Sequence, residues 1–192
     1  SPADFLVTPT GLNSAVIDPE RIIKISDGKT CDVFHAAIYE ARDDIQAVVH
    51  LRTDATVAVS CMANGFTPLT HESGYFYERI AYCKWASGDA NDKTAIVNAL
   101  KEVTKANAKI IRNHGVCTMA SSVQEAWVLA YYFDKACRTQ VAVMRSQSDI
   151  VYPDDSVMKS ASSHCLQSTI LPSKWEAIKA KVFGERDVKS LE

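Results

Sequence analysis

The chain has 192 residues, of which 47% are hydrophobic and 23% charged, and its formal net charge is −2. That length suits one domain with a sizeable core, and the composition excludes a disordered chain. The near-neutral balance leaves no global basic field to draw in nucleic acid or a membrane surface, and no apolar run approaches the roughly 20 residues that span a bilayer.

The chain opens Ser1-Pro2-Ala3-Asp4, polar and without the apolar run of a signal peptide. Phe5-Leu6-Val7 is a short apolar run that stops at Thr8-Pro9-Thr10-Gly11, a strand leading into a turn. Ile22 to Ile25, followed by Ser26-Asp27-Gly28-Lys29, predicts a second strand closed by an Asp-Gly turn. From Asp32 to Arg42, Val33, Ala36, Ala37 and Tyr39 fall at helical spacing and predict an amphipathic helix. Ala47 to His50 reads as a strand, Thr56 to Met62 as a helix, and Ala95 to Ala106 as a helix with Leu100 and Val103 on one side. Lys109 to Arg112 and Val116 to Met119 read as strands on either side of Asn113-His114-Gly115. Ser121 or Ser122 caps a long helix over Val123 to Met144, with Glu125 placed to complete a capping box. Beyond Ser146 the chain turns polar; Pro153-Asp154-Asp155-Ser156 has the composition of a helix start, and Trp175 to Phe183 predicts a last helix. The expectation is one α/β layered domain over 1–192, with 146–192 a polar, helical extension.

Six cysteines (Cys31, Cys61, Cys83, Cys117, Cys137, Cys165) are scattered without a CxxC pair, unlike a disulfide scaffold or a zinc ribbon. Reduced thiols in a cytoplasmic protein are expected, mostly as small core residues. Among five histidines, His50 ends a strand and His114 sits in the Asn113-His114-Gly115 turn. Two readings stand for them: hydrogen-bonded structural residues, or imidazoles aimed at one metal ion. The aromatics Tyr75, Phe76, Tyr77, Tyr82 and Trp85, and Trp127, Tyr131, Tyr132 and Phe133, serve a core or a subunit contact.

Phe5-Leu-Val-Thr-Pro-Thr-Gly11, Asp27-Gly28, His35-Ala-Ala-Ile-Tyr39, Ala47-Val-Val-His50 and Arg112-Asn-His-Gly115 follow one another in this order. Together they resemble the class II aldolase/adducin family over roughly residues 5 to 145. Pro68 to Tyr82 and Ala136-Cys-Arg-Thr-Gln-Val141 are more similar to its adducin-related branch than to the sugar-phosphate aldolases. The resemblance implies a three-layer α/β/α fold with a central, largely antiparallel sheet. It also implies a homotetramer with active sites at subunit contacts.

Enzymes of this family hold a divalent metal, usually zinc, through a His-x-His at a strand end and the His of an Asn-His-Gly turn; the metal stabilises an enediolate during retro-aldol cleavage. By this resemblance His50 is the first ligand and His114 the third, while the second position carries Arg52. The Glu of a Ser-Ser-Glu helix start falls at Cys31, its serines at Lys29 and Thr30, and Asp32 is turned by about 100° from the Glu position. The connection from Gly28 to that helix is short for the family. Thr10-Gly11 matches a phosphate-contacting segment and equally makes an ordinary turn. Glu72 is the candidate acid/base, or else a helix-start carboxylate favoured by the dipole.

The expectation is therefore an adducin-like domain with a degraded metal site, non-catalytic, acting in assembly or protein interaction. Its partners would be itself and cytoskeletal or other proteins. The alternative is a zinc- or other divalent-metal-dependent aldolase or lyase on a small phosphorylated sugar or hydroxy-ketone, with Arg52 turned to bind phosphate. A third reading is a small-molecule binding module that keeps the pocket without the chemistry.

Overall fold

The computed structural model describes residues 4–9, 19–25, 33–84 and 93–187, the side chains of 33 and 182–187 excepted. A short antiparallel hairpin, β1 (Phe5–Val7) and β2 (Ile23–Ile25), pairs Phe5 with Ile25 and Val7 with Ile23. Four further strands make the central sheet: β3 (Ala47–Leu51), β4 (Ile80–Cys83), β5 (Ala108–Ile111) and β6 (Gly115–Ala120), in the order β3-β6-β5-β4. β6 is antiparallel to both its neighbours, and β4 runs parallel to β5, so the sheet is mixed and largely antiparallel.

Helices cover both faces. On one side lie α1 (Val33–Ala41) and α3 (Lys93–Glu102), burying Phe34, Ala37, Ile38, Ile96 and Leu100 against Ile111, Cys117 and Met119 of the sheet. On the other lie α2 (Asp54–Cys61) and α4 (Val123–Arg145), packing Val59, Phe133 and Ala136 against Ile110 and Val116. Alternate residues of a strand point to opposite faces, so a strand covered on both sides reads as a continuous apolar run. This is why all four residues of β5 are buried although Ala108 and Ile110 face α4 and Ile111 faces α1. α5 (Asp155–Cys165) packs on a 3₁₀ turn at His71–Phe76, and α6 (Ile170–Asp187) packs on α4.

Local chemistry explains the helix starts. Thr53 caps α2 by accepting from the Thr56 N–H at 3.3 Å, and Ser122 caps α4 by accepting from the Glu125 N–H at 3.2 Å. Fully buried Gln140 clamps the loop after α2, its Oε1 accepting from Thr67 N–H and its Nε2 donating to the Gly65 carbonyl, both at 2.8 Å.

Several expectations need correction. Arg112 is in the turn after β5 rather than in the strand. β4 was not expected at all. α5 is a full helix, and α6 begins at Ile170 rather than Trp175, with Pro172 in its first turn, where a missing N–H costs nothing. The Asp27-Gly28 turn and Trp85 lie outside the described residues.

Candidate functional site

The site is built where β3 ends beside the start of β6. Register pairs His50 with Cys117 and Leu51 with Val116, so the chain leaves β3 next to the turn Arg112-Asn113-His114. That turn is tight: the His114 N–H donates to the Ile111 carbonyl at 3.1 Å and the Asn113 N–H to the Ser60 carbonyl at 3.2 Å. Asn113 has φ +60°, a left-handed conformation that Asn tolerates better than most residues. Gly115 follows at φ +153°, and a Cβ there would lie 2.4 Å from the Leu51 carbonyl oxygen and 3.2 Å from Arg52 Cγ. Glycine is required because β6 begins hard against the end of β3, and the Arg52 stem lies over the same spot.

This geometry brings His50 and His114 together, with ring centroids 5.1 Å apart and planes at 28°. Phe34 of α1 stacks on His50 at 5.7 Å, and His35 meets Phe34 edge-on at 5.4 Å. His50 keeps an exposed edge while protein crowds its faces. Burial, and then the neighbouring His114, His35, Arg52 and Lys109, lower its pKa from the usual value to about 4. His114 is lowered too, by burial and then by Arg52. Both shifts favour the neutral imidazole over the imidazolium.

Lys109 is the residue that sequence reasoning passed over. It is 0% exposed, on the α1 side of β5, with Nζ 3.7 Å from the Phe34 ring centroid and no hydrogen-bond partner. Burial pushes its amine below the ordinary lysine value, an effect partly offset by the Cys117 and Cys83 thiols. A signal was available: it is the charged residue in the otherwise apolar run Ala108-Lys109-Ile110-Ile111.

Arg52, exposed, takes the position between the two histidines in sequence and sits beside them in space. Glu72 is placed elsewhere: its carboxylate is bound by Lys135 Nζ of α4 at 2.7 Å, in the layer on the far side of the sheet from Phe34. That ion pair holds the Glu72 carboxyl below its usual range. Thr10, Gly11, Cys31 and Asp32 lie outside the described residues. Among the described residues no three His, Cys, Asp or Glu side chains are grouped to hold a metal ion, and no two of the five described cysteines are bridged to each other.

The arrangement has counterparts among known proteins. The family model for the class II aldolase and adducin N-terminal domain matches residues 1–141. An aldolase class 2 protein of Pseudomonas aeruginosa is 25% identical over 170 residues, covering 82% of this chain and 65% of that protein. Human β-adducin is 29% identical over 162 residues, covering 76% of this chain and 22% of its own length. The adducin-related protein C1289.14 of Schizosaccharomyces pombe is 31% identical over 157 residues, covering 72% of this chain and 47% of its own. The chain thus spans less than two thirds of each of these relatives. Among solved structures, an aldolase II superfamily protein from Pseudomonas syringae superposes with TM-score 0.79 at 26% identity, covering 93% of this chain and 77% of that one. The L-fuculose 1-phosphate aldolase from Glaciozyma antarctica gives 0.74 at 18% identity, over 93% of this chain and 76% of that one, a likeness of fold. A match spanning the hairpin, the sheet and the paired histidines leaves one assignment: the chain belongs to the class II aldolase and adducin N-terminal domain family.

Proposed function

We propose that this chain is an adducin-like class II aldolase-fold domain whose metal site is degraded, and that it acts in assembly and protein interaction rather than catalysis. The carrying observation is Arg52, anchored over Gly115 beside the His50–His114 pair. A guanidinium is cationic at every working pH and has no lone pair to give a metal. A catalytic zinc takes three protein ligands, and here two imidazoles face a fixed positive charge with no third donor among the described residues. Among the described residues the donor set does not fit the metal that the family implies.

The identities to adducins over most of this chain support the same side. Exposed apolar Leu6, Val123, Val151, Tyr152 and Val157 support self-association, for which we propose a homotetramer. No described helix is long and apolar enough to cross a membrane; a cytoplasmic setting and a single domain, with 146–192 as its extension, complete the reading.

The alternative is a divalent-metal-dependent aldolase or lyase. It is favoured by the approach of the two imidazoles to 5.1 Å, and it would need Thr10 and Gly11 on the substrate phosphate. Glu72 remains its candidate acid/base, although it is paired with Lys135 in the layer away from the two histidines. Elemental analysis of chelator-treated, zinc-reconstituted protein separates the two. We expect less than a tenth of a zinc per native chain and close to one for Arg52→His. One zinc in the native protein, with lyase turnover, would install the enzyme instead.

A further inference from the structure

α5 lies along the 3₁₀ turn at His71–Phe76, and at one point their backbones meet: a Cβ on Gly74 would lie 2.7 Å from the Ala161 carbonyl carbon. That contact fixes the helix against the turn, and beside it opens a groove of about 650 Å³. Val157, Ala161 and His164 recur at helical spacing along its α5 wall, with the buried Met158 between them. Leu69 and Pro153 complete the apolar lining, and Val157 is 54% exposed.

Two imidazoles share this groove. His71 of the turn and His164 of α5 meet edge to face, with ring centroids 5.5 Å apart. His71 Nδ1 lies 4.0 Å from Cys165 Sγ, and the Cys165 thiol donates to the His71 carbonyl at 3.7 Å. The neighbouring carboxylate of Glu72 is taken by Lys135 at 2.7 Å. Among the described lining residues there is no carboxylate, ammonium or guanidinium; hydroxyl side chains make up the rest. An imidazole offers at least one N–H in either protonation state.

Apolar walls with N–H donors, and without lysine or arginine, suit a singly charged anion that carries a hydrocarbon tail. A dianion such as a phosphate monoester would lack a matching cation, and an amine would find no carboxylate. We propose that the groove between α5 and the His71–Phe76 turn binds a small monocarboxylic acid, its carboxylate on His71 and His164 and its tail along Leu69, Pro153, Val157 and Met158. The groove belongs to the layer away from His50 and His114, so the inference stands apart from the fate of the metal site.

The test is isothermal titration of the intact chain with octanoate, 1-octanol and octylamine at neutral pH and constant ionic strength. Native protein, His164→Gln and Val157→Asp are compared, each checked for unchanged circular dichroism; both side chains are exposed, so the fold should survive. Saturable, one-to-one binding of octanoate to the native chain is expected. It should be about tenfold weaker or more for 1-octanol and in His164→Gln, as for loss of one hydrogen bond to a charged group. Val157→Asp should abolish it, and octylamine should not bind. Equal affinity for octanoate and 1-octanol, or octanoate affinity unchanged in His164→Gln, overturns the inference and leaves an unselective apolar groove. Absence of saturable octanoate binding overturns it as well, and a smaller mass for Val157→Asp by light scattering would then assign the groove to a second copy of the chain. Zinc uptake at His50 and His114 is read separately and is decided by none of these results.

Discussion

At the scale of single residues, Lys109 poses the sharpest energetic problem. An ammonium without an acceptor in a packed interior pays a desolvation cost that the Phe34 ring only partly returns. Lys109→Met keeps the length and removes the amine, so it should stabilise the fold by about 1–3 kcal/mol, seen as a higher urea midpoint. The pH dependence has a definite sign. The folded-state pKa of Lys109 is lowered, so between that value and the unfolded value near 10.5 the unfolded chain binds more protons and stability rises with pH. The advantage of Lys109→Met is therefore full below the folded pKa, shrinks as pH climbs from there, and is gone above about 10.5. A gap that stays constant from pH 7 to 10.5 would show that the amine carries no such penalty.

At the scale of elements, helices were legible where sequence put capping and periodicity together. α4 announces itself through Ser122, Glu125 and an apolar stripe, and Ser122→Ala should cost about 1 kcal/mol by removing the acceptor for the Glu125 N–H, measurable as a lower urea midpoint with an unchanged slope. β4 was invisible because Ile80-Ala81-Tyr82-Cys83 is four residues long and becomes a strand by pairing in parallel with β5, a contact 28 residues away. α5 was seen only as a start, since most of its residues are polar and exposed. Only Met158, Ala161 and Cys165 are buried, at a spacing that makes one narrow stripe against the 3₁₀ turn.

At the scale of the whole molecule, apolar surface is the open account. Val151 is 90% exposed, and Leu6, Val123 and Tyr152 also present large apolar side chains to solvent. Leu6 and Val123 line one surface pocket, and contiguous apolar surface of that kind marks an interaction site. Light scattering should return a mass that is a whole-number multiple of the 21.1 kDa chain, with four copies the expected number. A mass of a single chain at micromolar concentration would remove self-assembly from the proposed role.

What the amino-acid sequence determined by itself is what depends on neighbours along the chain: the long capped helix, the strand runs, the Asn113-His114-Gly115 turn and the substitution at Arg52. Composition and period carry those, because helix and turn are settled within a few residues. Only the tertiary structure decided which histidines meet, since the 5.1 Å approach of His50 and His114 follows from the β3–β6 register across 64 positions. It likewise decided that Glu72 belongs to Lys135, and that Lys109 points into the core while its neighbour Ile110 faces the other layer. Whether a polar side chain is a surface group or a buried one depends on what packs against it, and that is a property of the folded chain.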